Sequence, residues 1–382
     1  MLIDKIKSNF LFIFLSILYF PLFKYYIYLN NNKGHTFLTS DWLINYNYGF
    51  VKRGLAGTIF FNLTSDPDLM LDIISGVLIT IYLFIFYFLN KSFKSQKQNL
   101  ISIILIFSPA AFLFPIYDSQ GGFRKEIIGI LALFIIASQF RNKNYRPYLT
   151  LGAFIYTFGI FSHSVNFFFL TTILFIIYKF YQSKNFYDYG LFIVPTLIYL
   201  LMYVVFSASE NELYFIRDNI CDDLRNMNLF NLCGHGSFDY LVWDINANYV
   251  ITQNFIINER RSEHYIYILL FIISLIPYLF DKNIKNFFAP FFIISISFIP
   301  LFVFAIDWGR WIYIMSICFS SVYLISNKNT TNNSFMYVLI IFPIFFKLEH
   351  CCKPKFKMDV NYFIDNLNFL IFNLENIFLY KI

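Results

Sequence analysis

Residues 69–89 read LMLDIISGVLITIYLFIFYFL, with Asp72 as the single charged side chain, and Lys91, Lys94 and Lys97 follow directly. As a helix this stretch spans about 30 Å, the thickness of a bilayer's hydrocarbon core. It has no polar face to offer water, so it sets the fold class as a membrane-crossing helix. The lysines mark the end that stays on the cytoplasmic side.

The same pattern repeats in both directions along the chain. Apolar runs occur at 10–29, 69–89, 100–117, 127–140, 149–161, 165–180, 191–207, 265–280, 287–306, 311–325 and 335–346. They predict an all-α polytopic transmembrane bundle of about eleven spans, one membrane domain covering 1–382. Composition agrees: 58% of the 382 residues are hydrophobic and only 14% charged, too few to cover a water-soluble surface. A last stretch, 360–380, mixes apolar residues with Asp365, Asn366 and Glu375, which predicts an interfacial helix rather than a further span. Lys5 and Lys7 precede the first apolar run with no small-residue cleavage site after it, as in an uncleaved first span.

Charge distribution gives orientation. With the N-terminus inside, the inner connections carry Lys91, Lys94 and Lys97, then Arg141, Lys143 and Arg146, then Lys179 and Lys184, then Lys282 and Lys285, then Lys328. Each is short and basic, as the positive-inside rule requires. Lys347, Lys353, Lys355 and Lys357 depart from the rule, since they fall outside if 335–346 crosses. The net charge of +6 is spread over these turns, which argues against a nucleic-acid partner.

Two outer connections, 30–68 and 209–263, exceed ordinary loop length, which points to function. The first holds Asp41, Trp42 and the run Gly49-Phe50-Val51-Lys52-Arg53-Gly54, where glycines allow backbone turns and Arg53 can fork onto a phosphate. Lipid headgroups are an equal target for Lys52 and Arg53. The second holds carboxylates among Tyr214, Phe238, Tyr240 and Trp243, a mixture suited to sugars and equally to a solvated loop. Cys221 and Cys233 share it and can pair if it faces an oxidising compartment; two free thiols are the other option.

Three short outer turns are also polar. In Asp118-Ser119-Gln120-Gly121-Gly122-Phe123-Arg124-Lys125-Glu126, backbone N–H groups and two cations can meet an anion. His163 interrupts an apolar hairpin and, when neutral, can accept a proton from a hydroxyl. In Asp307-Trp308-Gly309-Arg310-Trp311, Arg310 can bind phosphate while Asp307 orients it or acts as base, with Trp308 beside them. The bland alternative for each is a salt bridge or a capped hairpin. No metal-ligand spacing and no nucleotide-binding, zinc-protease or serine-hydrolase pattern occurs, so chemistry without a metal or cofactor is expected.

The segments NYGFVKRGLAG (47–57), DSQGGFRKE (118–126), FSHS (161–164) and DWGRW (307–311), in this order on outer turns, resemble multispanning proteins of bacterial O-antigen and capsule clusters of the kind assigned as Wzy-type repeat-unit polymerases. The resemblance implies an all-helical fold related in plan to membrane glycosyltransferases that use lipid-linked donors. It implies polymerisation of undecaprenyl-diphosphate-linked oligosaccharides at the outer face of the inner membrane. Arg53, Arg124, Arg310 and Lys125 would then contact diphosphate or glycan, and Asp118, His163 and Asp307 are base candidates. A chain-length regulator and a flippase are the protein partners it adds. Two other readings stay open. A single-sugar transferase with a lipid-linked donor would use an acid in the first outer loop, where Asp41 stands. A flippase would show repeated halves and midplane charges, and neither is evident here.

Overall fold

The computed structural model describes residues 9–94, 100–206, 208–243, 245–259, 261–281, 285–326 and 347–351. The expected span at 335–346 and the expected interfacial helix at 360–380 lie outside these residues. Among the described residues the chain is all helical, with no strand. The principal helices are α1 (Phe10–Asn31), α2 (Leu55–Leu63), α3 (Pro67–Lys94), α4 (Ile127–Ala137), α5 (Arg146–Ser162), α6 (Phe169–Ile176), α7 (Phe186–Val205), α8 (Glu210–Asn226), α9 (Arg261–Leu279), α10 (Lys285–Phe304) and α11 (Trp308–Ile325). A 3-10 turn, Ser164–Phe168, leads into α6, and Ile177–Tyr181 continues it as π-helix.

Five described helices are long and apolar enough to cross a membrane: Phe10–Asn31, Pro67–Lys94, Ser164–Tyr181, Phe186–Val205 and Phe287–Phe304. Their outward faces argue for lipid. In α1, Leu11, Leu15, Tyr19, Leu22 and Tyr26 form a buried stripe, while Phe10, Phe14, Ile17, Phe20 and Tyr28 on the other faces are exposed. In α7, Val194, Leu197, Leu201 and Val204 are likewise exposed. A helix apolar on its outside as well as its inside suits a hydrocarbon solvent, not water. Pro21, Pro195, Pro277, Pro290 and Pro300 sit inside helices, as membrane helices tolerate.

At the centre stand α4, buried throughout, and α11, buried from Gly309 to Ile325. Helix α4 packs on α3 and α5, and α11 on α4 and α10. One expected span is not a single helix. Within 100–117 the helix Leu100–Ile106 stops, and the chain turns before the short helix Phe114–Tyr117. Pro109 explains the stop, because it lacks an N–H and pushes Ser108 out of helical conformation.

The bundle has two chemically distinct ends. At one, Lys94 Nζ donates to Asn9 Oδ1 at 2.8 Å, Lys91 lies over the Tyr148 ring, and Tyr145 donates to Asp188. Lys91, Lys94 and Arg146 of the basic turns lie at this end. At the other, Asn30 donates to Ser75 Oγ at 2.7 Å and accepts from Thr39 Oγ1, which fastens the first long loop onto α1 and α3. The residues singled out in the polar turns all lie at this second end.

Candidate functional site

Four separate turns meet at the second end, and glycines make the meeting possible. A Cβ on Gly54 would strike the Tyr46 ring, and one on Gly57 would strike the Ile44 carbonyl. The first loop thus folds back on itself and delivers Lys52 and Arg53. Tyr46 fixes it to the bundle by donating to the Phe161 carbonyl at 2.7 Å.

A cavity of about 580 Å³ opens among these turns. Of the residues singled out in the sequence, Arg53, Arg124, His163, Asp307 and Arg310 line it. Its wall also includes Phe37, Tyr240 and Trp243 from the two long loops, and Phe168, Leu301 and Phe304 from the membrane helices. One side is therefore cationic and aromatic, the other apolar. The size falls within the range of small-molecule sites.

Each arginine is held differently. Arg124 donates from Nε to the Gln120 carbonyl at 2.8 Å and from NH1 to Ser237 Oγ at 3.3 Å, with its guanidinium over the Phe37 ring. Arg310 pairs through NH2 with Asp307 Oδ2 at 3.0 Å and lies over the Trp311 ring. Arg53 NH1 lies 3.3 Å from Asp41 Oδ1. Asp307 is thus the ion-pair partner of Arg310 on the cavity wall.

Asp41, Asp118, Lys125 and Trp308 do not reach the cavity wall. Asp41 is fully buried beneath Arg53 and Lys125. Burial by itself would raise its carboxyl, but Lys125, 4.0 Å away, helps to hold it well below the usual carboxylate range. It serves as counter-ion to the cationic cluster. Lys125 is buried behind Arg53 and donates to the Arg53 carbonyl at 2.8 Å; burial pushes its ammonium down to about 8. Trp308 packs on His264 and Phe302 and donates to the Phe302 carbonyl.

His163 caps the 3-10 turn: its Nδ1 accepts from the Val165 N–H at 3.2 Å. Burial holds its imidazole well below the ordinary histidine value, so the ring is neutral near pH 7. A neutral ring accepting at Nδ1 carries its proton on Nε2. His163 therefore presents an Nε2–H to the site.

Two residues not chosen in the sequence stand out. Glu126 closes the DSQGGFRKE motif and is buried, with Oε1 at 3.3 Å from Arg310 Nε and 3.8 Å from His163 Nε2. Neither of its oxygens has a hydrogen-bond partner among the described residues. Burial raises its carboxyl, with Arg310 opposing. A charged residue directly before a wholly apolar helix was the available signal. The second is His350, which lines the cavity and is bound to Asp118: Asp118 Oδ2 accepts from His350 Nδ1 at 2.6 Å and from its backbone N–H at 2.5 Å. Lys347, expected outside, belongs to this same segment. Its only sequence signal was that anomaly.

Asn166 braces the whole arrangement. Its Oδ1 accepts from the Gly129 N–H, and its Nδ2 donates to the Gly159, His163 and Lys125 carbonyls. This one amide ties the 118–126 turn to the 161–164 turn. On the long loop, Cys221 and Cys233 form a disulfide that joins α8 to the 3-10 turn Phe230–Cys233. Comparison with protein-family models, curated proteins and solved structures finds no match to this chain.

Proposed function

We propose that the chain polymerises lipid-diphosphate-linked oligosaccharide repeat units, as a Wzy-type glycosyltransferase of surface-polysaccharide assembly. In this reading it spans a bacterial inner membrane about eleven times, with the N-terminus cytoplasmic and the cavity at the outer face. The carrying observation is that Arg53, Arg124 and Arg310, from three distant turns, line one cavity whose other wall is apolar. A polyprenyl diphosphate has that same division, a charged head on an apolar chain. The arginine forks suit diphosphate oxygens, and Phe37, Tyr240 and Trp243 give rings for sugar faces.

In the transfer, an acceptor hydroxyl attacks the anomeric carbon of the donor sugar. The bond from that carbon to the diphosphate oxygen breaks, and its electron pair leaves with the lipid diphosphate. The guanidinium groups stabilise the charge that develops there. The disulfide in the long loop supports an oxidising compartment on this side. The rival single-sugar transfer leans on Asp41, which does not line the cavity and pairs with Arg53 and Lys125.

Disruption of the gene, followed by gel analysis of surface polysaccharide, tests the reading. Loss of long chains with retention of single repeat units is expected. Arg124→Ala and Arg310→Ala should each reproduce that loss while the protein remains inserted. One sugar missing from every unit would replace polymerisation by single transfer. Accumulation of unflipped units on the inner leaflet would replace it by transport.

A further inference from the structure

We propose that His350 is the general base that takes the proton from the acceptor hydroxyl, with Asp118 as its positioning residue. The inference rests on the transfer reading above and assigns the reaction's proton acceptor.

Asp118 is an ionised carboxylate and can only accept hydrogen bonds, so the ring nitrogen facing it, Nδ1, carries hydrogen. In the neutral ring the acceptor nitrogen is then Nε2, the nitrogen Asp118 does not engage. This is the opposite tautomer from His163. Of the two cavity imidazoles, His350 is thus the one able to receive a proton. The carboxylate behind it also stabilises the imidazolium that forms.

The placement of His350 is built into two of the glycine motifs. A Cβ on Gly121 would come 2.6 Å from the His350 Cβ, and one on Gly309 would strike the Glu349 carbonyl. The Gly309 N–H donates to the His350 carbonyl at 3.1 Å, and the Tyr267 hydroxyl donates to the Glu349 carbonyl at 3.1 Å. Asp118, Gly121, Gly309 and Tyr267, on three elements, therefore fix one short segment. The charged groups and histidine sharing the cavity with His350 are Lys52, Arg53, Arg124, His163, Asp307 and Arg310, with the hydroxyls of Tyr199, Tyr203 and Tyr240.

The proton balance closes. The acceptor O–H bond breaks as the new carbon–oxygen bond forms, and the proton moves to His350 Nε2. Imidazolium then passes it to water, while the lipid diphosphate departs with the electron pair of the broken bond.

The test uses the full-length protein in liposomes with lipid-linked oligosaccharide extracted from a strain lacking the gene. Wild type should give a ladder; no product from wild type would sink the transfer reading itself. With wild type active, His350→Ala should lose about 10²- to 10⁴-fold in rate, and added imidazole should restore part of it. His350→Gln, which keeps bulk and polarity, should be equally inactive but should bind the lipid-linked oligosaccharide as wild type does. Asp118→Asn should shift the acidic limb of the pH–rate profile to lower pH, because the imidazolium loses its carboxylate. Normal turnover by both His350 variants, or an unmoved acidic limb in Asp118→Asn, overturns the assignment while leaving the transfer reading intact.

Discussion

Arg310 Nε lies 3.3 Å from Glu126 Oε1, within ion-pair range, yet neither atom makes a hydrogen bond among the described residues. Both side chains are buried. Removing Arg310 strands the Glu126 carboxylate, at about 3–5 kcal/mol, whereas removing Glu126 leaves Arg310 its pair with Asp307. Arg310→Met should therefore lower the unfolding midpoint in detergent markedly. The double variant Glu126→Leu with Arg310→Met should recover much of that loss and still make no polymer. Unchanged stability in Arg310→Met would show that the pair contributes nothing to the fold.

The glycines of the two turn motifs make a second prediction. Gly121→Ala and Gly309→Ala each place a methyl where the 349–350 segment passes. Misplacing a catalytic group by an ångström costs about 10²-fold in rate, so both should lose polymer formation at that scale while inserting normally. Gly76→Ala is the control, since a Cβ there meets open space. Loss of function at Gly76 equal to that at Gly121 would remove the link to His350.

These contacts bear on what could be read from the sequence. The membrane class was legible because each apolar run reports on its own surroundings. The polar turns were legible as a group because alternation of spans put them at one end. Pairing was not, since Asp118–His350 joins residues 232 positions apart. The direction of His163 was also hidden: its tautomer is set by the Val165 N–H, a backbone contact with no trace in residue type. Asp41 and Lys125 looked like site residues because they are charged, but their charges are spent on each other and on Arg53.

His163 gives a third prediction. Its Nδ1 plays the part that an asparagine Oδ1 plays at a helix N-cap. His163→Asn should keep the 3-10 turn, whereas His163→Ala should cost about 1 kcal/mol. The Asn variant should retain activity well above the about 100-fold loss that follows removal of a general base. A loss of that size in His163→Asn, with the fold intact, would return His163 to the role of proton acceptor.

Sidedness can be read directly. Ser183 lies with Asp188 and Tyr145 at the basic end, and Asn248 lines the cavity. Reporter fusions at the two positions should signal opposite compartments. Cys221 and Cys233 should resist thiol reagents until reduced, as bonded cysteines on an oxidising side do. Fusions reporting the same side would contradict the two-ended arrangement of the bundle.

Lys125 supplies a prediction in pH. Its folded value of about 8 lies below the ordinary lysine value of about 10.4. Between the two, the unfolded chain holds a proton that the folded chain has released, so this group's contribution to stability grows as pH rises. Lys125→Met lacks that slope. The unfolding midpoint of wild type minus that of the variant should thus move in favour of wild type from about pH 8 to about pH 10. Activity should move the other way. Once Lys125 is neutral, Asp41 loses a counter-ion and draws harder on Arg53, whose guanidinium is then less available to a diphosphate. Polymer formation should therefore fall across the same window in which the fold gains stability, and a parallel rise of both would show that Lys125 does not hold Arg53 in place through Asp41.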